Sequence, residues 1–222
     1  MMNVCYKCGQ YHAAKEIDPT GPYAICPACG HRHPFRRLPL LLLCGASGSG
    51  KSTVGHHLPW MTQQAVVLDS DILWSAAFDQ PETNYRDFYE TWLRLAKNIA
   101  QAGKPALLIS AGGIPENIEP CEERRYFSAI HYLALVCDDA ALAARLRQRP
   151  AWRQSSEPAF ITAQIEFNRW FKTNAEEQTP PITLLDTTEV AIEQTAARVA
   201  AWIEEIIEGI NQEGPNKKEN EL

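Results

Sequence analysis

Apolar residues in this chain come in short unbroken runs, separated by segments in which they recur at helical spacing. Five runs, Leu40–Cys44, 65–68, 105–110, 130–137 and Ile182–Asp186, have strand length and no alternation, the pattern of strands buried on both faces. Between them, helices are predicted over 52–58 (ended by Pro59), 72–78 (capped by Asp71), 84–103 (stopped by Gly103), 140–149, Pro158–Asn174 and 190–210. In 84–103 the stripe is Phe88, Trp92, Leu95, Ala96 and Ile99. Strands alternating with helices predict a three-layer α/β domain around a five-stranded parallel sheet. Three segments follow: a small module over 1–37, the α/β domain over 38–210, and a polar tail over 211–222 expected to be disordered.

The first strand runs into Gly45-Ala46-Ser47-Gly48-Ser49-Gly50-Lys51-Ser52-Thr53, which fits the phosphate-loop pattern G-x-x-x-x-G-K-[ST], and a helix follows. Strand, loop and helix in that order are the setting this chemistry needs. Glycines let amide N–H groups turn inward around an anion, and the helix N-terminus adds unpaired donors. Lys51 is expected to reach the β- and γ-phosphates and the Ser52 hydroxyl to take a Mg²⁺ position. The chain is read as binding a nucleoside triphosphate.

Four of the seven cysteines form a second motif, Cys5-x₂-Cys8 and Cys26-x₂-Cys29, with 17 residues between the pairs. That spacing fits a four-thiolate zinc site. Gly9 and Gly30 follow the pairs, as tight turns under a metal require, and Pro27 stiffens the second turn. A segment of about 37 residues buries little core, so Zn²⁺ would supply much of its folding free energy. His12, His31 and His33 are left as surface or second-layer residues, because four cysteines complete a tetrahedron. Cys44 and Cys137 end apolar runs and read as small buried hydrophobes, while Cys121 is expected to be partly exposed.

Charge narrows the partners. Lys7, Lys15, Arg32, Arg36 and Arg37 against Glu16 and Asp18 give the ribbon segment a formal +3, which a tetrathiolate zinc site reduces by two; the whole chain carries −6. Nucleic-acid binding through the ribbon therefore has little support, and polynucleotide backbone binding by the acidic α/β domain still less. No apolar stretch approaches the roughly 20 residues that cross a bilayer, and the N-terminus lacks a signal-peptide pattern. A cytoplasmic location with reduced thiols is expected.

Other candidates gather at strand ends, where open α/β sheets bind ligands. Asp69 and Asp71 follow the second strand: one carboxylate can help hold Mg²⁺, the other can orient an attacking hydroxyl and take its proton. Gly112 and Gly113 after the third strand permit close approach of a substrate. Arg86 is a candidate substrate contact. Arg145, Arg147 and Arg149 crowd one helix end, and a loop with Arg149 and Arg153 can close over ATP and neutralise the transferring group. The helix Pro158–Asn174 has more aromatics than one buried stripe needs, leaving one or two to line a substrate pocket. The third strand ends without an acidic pair, which points away from a motor and toward phosphoryl transfer.

These pieces together, with Asp69-Ser70-Asp71, Ala111-Gly112-Gly113 and Asp186-Thr187-Thr188, resemble the small P-loop kinases of the shikimate, gluconate and nucleotide kinase group over about residues 39–209. The resemblance implies a Mg²⁺ role for Asp69, an acceptor-hydroxyl role for Asp71, a mobile lid over 149–157 and an adenine-contacting loop near Thr187. The expected activity is transfer of the γ-phosphoryl group of ATP to a hydroxyl or phosphate of a small metabolite, nucleoside or nucleotide. A nucleotide-dependent switch whose ribbon binds a partner, and a polynucleotide 5′-hydroxyl kinase, stay open as alternatives. The acceptor and the oligomeric state are not readable from the sequence.

Overall fold

The computed structural model describes residues 3–213. Near the N-terminus, β1 (Glu16–Asp18), β2 (Tyr23–Ile25) and β3 (Arg32–Pro34) form an antiparallel sheet in that order. Next come β4 (Leu40–Cys44), α1 (Lys51–Met61), β5 (Val66–Asp69), α2 (Arg86–Ala100), β6 (Ala106–Ile109) and the short α3 (Pro115–Ile118). The chain closes with β7 (Ile130–Val136), α4 (Asp139–Arg147), α5 (Pro158–Asn174), β8 (Ile182–Asp186) and α6 (Ile192–Glu213). The second sheet is five-stranded and all parallel, ordered β5-β6-β4-β7-β8. With helices on both faces, this is the three-layer α/β fold that the apolar runs predict.

Burial follows from strand geometry. Successive β4 residues face opposite sides, so Leu40 and Leu42 join the core beneath α2 and α5 with Phe88, Trp92 and Phe171, while Leu41 and Leu43 join Val54, Leu58, Val199 and Ile203 of α1 and α6. Both sets are fully buried. The chain adds β5 and β6 on one side of β4 and then crosses to add β7 and β8 on the other. That reversal opens a crevice beyond the carboxyl end of β4.

Several boundaries differ from the sequence prediction. Helix α1 continues through Pro59 to Met61, because a proline in the last turn removes one N–H donor while Thr62 N still bonds Leu58 O at 3.0 Å. The predicted helix over 72–78 is instead a series of single 3₁₀ turns, Ser70–Leu73, Ala76–Phe78 and Pro81–Thr83. Trp74 and Ser75 between the first two are extended, and the first turn is capped by Asp69, not Asp71. Helix α6 takes in residues 211–213; the rest of the predicted tail, 214–222, lies outside the described residues.

The ribbon is bound to the α/β domain by a polar contact. Tyr126, in the 3₁₀ segment Glu122–Tyr126, donates to Ala13 O at 2.5 Å, accepts from Lys15 N and packs edge-on against Phe35. Beside it the buried Glu123 carboxylate accepts from Asn3 Nδ2 at 2.9 Å, Arg94 Nε at 3.0 Å and the Lys97 ammonium. Gln101 completes the seam, accepting from Arg36 N and donating to Arg36 O.

Candidate active site

The phosphate loop occupies the crevice beyond β4. Gly45, Gly48 and Gly50 have φ of 131°, 92° and 106°, conformations that side chains with a Cβ rarely adopt. At Gly45 space is also closed, since a Cβ would lie 2.4 Å from Leu135 O. Lys51 opens α1, and its Nζ donates to Gly45 O at 2.7 Å and Ala46 O at 3.0 Å. Burial lowers the Lys51 pKa from 10.5 to about 8, with Asp71 and Asp69 among the groups that oppose the shift. A buried ammonium with a lowered pKa is poised to gain from an incoming phosphate.

One cleft holds most of the predicted residues. Ser47, Gly48, Gly50, Lys51, Ser52, Thr53, Asp69, Asp71, Arg149 and Arg153 all line it. Asp69 Oδ1 accepts from Asp71 N at 3.0 Å, which fixes the turn that presents both carboxylates. Burial raises the Asp71 pKa, Asp69 raises it further, and Lys51 with the two arginines pulls against them. The Arg149 pKa is lowered by burial and by Arg153, so two guanidiniums share the cleft mouth opposite Asp71. Ser52 and Asp69 offer hard oxygen donors on one wall, a donor set that suits Mg²⁺ with its remaining positions left to water and phosphate.

On one side a cavity of about 370 Å³ continues the cleft, lined by Gly48, Ser49, Arg145, Gln148, Thr187 and Ile192 among others. Thr187 Oγ1 donates to Val136 O at 3.0 Å, and Arg145 donates to Thr187 O at 2.6 Å and Thr188 O at 3.3 Å. Arg145 thus ties the loop after β8 to α4, a role its place at a helix end did not reveal, while Thr187 Oγ1 reaches Ser49 O of the phosphate loop at 3.3 Å. Gln164 was also missed: its Oε1 accepts from Ser47 N at 2.8 Å.

On the other side lies a separate pocket of about 210 Å³, reaching Asp71, Trp74, Tyr85, Phe88, Tyr89 and Asn117. Gly112 lines it, and a Cβ there would come 2.7 Å from Tyr89 Oη. Gly113 packs inward, where a Cβ would meet Leu42 Cδ1 at 2.8 Å. Arg86 is not brought to either wall, because at the start of α2 its guanidinium donates to Pro120 O at 2.5 Å. The aromatics of α5 do not line the pocket either; Phe167, Trp170 and Phe171 pack together on the core.

In the ribbon, the Sγ atoms of Cys5, Cys8, Cys26 and Cys29 all lie within 4.8 Å of one another. Cys5 and Cys29 are 3.7 Å apart, Cys8 and Cys26 3.8 Å. A tetrahedron with Zn–S bonds of about 2.3 Å has edges of about 3.8 Å, so the cluster has the size zinc requires. Gly9 and Gly30, at φ 75° and 69°, close matching turns by donating to Cys5 O at 2.8 Å and Cys26 O at 2.9 Å. His33 is buried beside the cysteine cluster, with its ring near Tyr6 and His31, which is the second-layer placement of the two expected for it. Cys121 is buried too, donating to Asn117 O, and burial pushes its thiol up to about 12.

A family model described as an AAA domain matches residues 40–171. Among solved structures, the fold is similar to a sugar kinase from Janibacter sp. HTCC2649, with a TM-score of 0.56 at 16% identity over 76% of this chain and 95% of that one. It is likewise similar to a gluconokinase from Sinorhizobium meliloti 1021, at 0.54 and 17% over 81% and 99%. A tunicamycin resistance protein from Deinococcus radiodurans gives 0.51 and 16% over 75% and 96%. These likenesses establish a kinase-like P-loop fold. No curated protein matches the chain. Among the described residues, no helix is long and apolar enough to cross a membrane.

Proposed function

The chain belongs to the AAA domain family, and from that premise we propose that it is an ATP- and Mg²⁺-dependent kinase acting on a small molecule. Residues 38–210 form the kinase domain, with 1–37 as an appended zinc ribbon. One observation carries the reading: Asp71 lies on the wall common to the phosphate cleft and the separate side pocket. A carboxylate placed there meets an acceptor hydroxyl on one side and the γ-phosphoryl group on the other.

In this reading the phosphate loop and Lys51 bind the triphosphate, and Thr187, with the neighbouring cavity, takes the base. Ser52 and Asp69 would hold Mg²⁺, whose charge offsets that of the β- and γ-phosphates. The acceptor oxygen bonds to the γ-phosphorus as the bond from that phosphorus to the β,γ-bridging oxygen breaks, and ADP leaves. The hydroxyl proton passes to Asp71, whose raised pKa suits a base. Lys51, Arg149 and Arg153 stabilise the charge spread over the transferring oxygens. Gly112 shapes the acceptor side, and the ribbon's Zn²⁺ is structural.

A switch ATPase would need no second pocket beside Asp71. A polynucleotide acceptor is disfavoured by the net charge of −6. The test is incubation with γ-labelled ATP, Mg²⁺ and pools of nucleosides, nucleotides, sugar acids and other hydroxyl metabolites. Label on one small molecule supports the kinase reading. Steady ATP hydrolysis that no acceptor alters supports the switch.

A further inference from the structure

The walls of the side pocket specify more than the presence of an acceptor. Trp74 lies with its ring centroid 6.0 Å from that of Tyr85 and 5.3 Å from that of Phe88, and Phe88 is 5.3 Å from Tyr89. Three of these rings are held by α2 or its first cap. Trp74 lines the pocket and stays 47% exposed, a large apolar surface that solvent does not favour. Asn84 and Tyr85 have φ of 53° and 55°, left-handed backbone in two successive residues with side chains. Such backbone is strained and gathers at ligand sites. Here it turns Tyr85 toward Trp74.

The polar groups are few and uncharged apart from Asp71. Tyr89, Ser110 and Asn117 line the pocket together, and Asn117 Nδ2 donates to Gly112 O at 2.8 Å. Burial holds the Tyr89 hydroxyl protonated, with its pKa pushed up to about 12. Among the described residues no lysine or arginine lines the pocket; Lys51, Arg149 and Arg153 line the neighbouring cleft. A carboxylate or phosphate on the acceptor would enter against the Asp71 carboxylate, while Lys51, Arg149 and Arg153 line the phosphate cleft and, in the kinase reading, are taken up by the triphosphate. A flat neutral ring would cover the exposed indole and gain stacking. At about 210 Å³ the pocket is smaller than the roughly 300–1,000 Å³ of drug-sized sites, which limits the body to one or two rings.

Resting on the kinase reading above, we infer that the phosphoryl acceptor is a neutral alcohol carrying a planar unsaturated ring, stacked on Trp74 with its hydroxyl directed to Asp71. The test uses the full-length zinc-loaded protein. Acceptor binding is read by calorimetry with a non-hydrolysable ATP analogue present, and transfer is read with γ-labelled ATP. The neutral arms are thymidine and adenosine as nucleosides, and cinnamyl alcohol and pyridoxine as ring alcohols without a sugar; the anionic arms are gluconate, shikimate and thymidine monophosphate.

A neutral arm is expected to bind saturably and accept label, and which arm does so separates nucleosides from other ring alcohols. Trp74→Ala should weaken that binding about tenfold, or about 1.4 kcal/mol, while ATP affinity stays; Trp74→Phe should restore most of it. Preferred labelling of an anionic arm overturns the inference and leaves the kinase reading standing. Saturable binding of a neutral arm, lost in Trp74→Ala, with no label transferred, supports the pocket assignment and counts against the kinase reading. Failure of every neutral arm to bind overturns the inference.

Discussion

Glu123→Ala probes how firmly the ribbon and the α/β domain are joined. The Glu123 side chain is fully buried, the Lys97 side chain is 1% exposed, and their ion pair is reinforced by Arg94 and Asn3. Burial already lowers the Lys97 pKa, and Glu123 is the group that opposes this. Removing the carboxylate leaves an ammonium without its counter-ion over the Tyr126 ring, and Asn3 Nδ2 with only the Tyr11 hydroxyl as acceptor. Breaking a buried pair by deleting one partner costs about 3–5 kcal/mol. For a chain of this size, a melting temperature moves by roughly 2–4 °C per kcal/mol, so a drop of roughly 6–20 °C is expected. Thermal unfolding of the zinc-loaded protein, followed by circular dichroism, reads it. The double variant Lys97→Met/Glu123→Leu should recover much of the loss, because apolar residues of similar volume replace the pair without leaving a charge. A Glu123→Ala melting temperature within about 2 °C of the parent would refute the reasoning.

Three further outcomes follow from the geometry. Gly45→Ala, whose Cβ would sit 2.4 Å from Leu135 O at a φ of 131°, should weaken ATP binding by about 10–100-fold, and calorimetry showing parent affinity would contradict this. Chelation of zinc should abolish ribbon structure and lower the melting temperature of the whole chain, since Phe35 and Ala13 of the ribbon hold Tyr126; metal release with no change in melting would count against the cluster's role. Lys51 must be protonated to pair with phosphate, and burial sets its pKa at about 8. ATP affinity should therefore be flat below that pH and fall by up to about tenfold per unit above it, whereas a flat profile to pH 9.5 would mean that Lys51 does not pair with the phosphates.

Much of the site was legible because its chemistry is local in sequence. The phosphate loop needs consecutive residues in one turn, and each Cys-x-x-Cys pair needs one turn closed by Gly9 or Gly30; both turned out as their spacing indicates. Residues 40–44, 158–174 and 182–186 also match their predicted elements. What failed to read depends on contacts far apart in the chain. Residues 72–78 carry helix-compatible side chains, yet Trp74 leaves helical geometry and packs on Tyr85 and Phe88. The left-handed pair Asn84-Tyr85 has no periodic signature. Arg86 and Arg145 were both candidates for charge chemistry, but carbonyls at Pro120 and at Thr187 with Thr188 decide where their guanidiniums go. Glu123 and Lys97, 26 residues apart, carry no local signal of the buried pair that the fold makes of them.

The central claim is that Asp71 couples an acceptor hydroxyl to the γ-phosphoryl group of ATP. Its most direct test compares parent and Asp71→Asn in transfer of label from γ-labelled ATP to the acceptor that the pools identify, alongside ATP binding by calorimetry. Transfer should fall by about 10²–10⁴-fold with ATP affinity unchanged, since loss of a general base costs that much while the phosphate loop is untouched. Transfer at the parent rate by Asp71→Asn would contradict it.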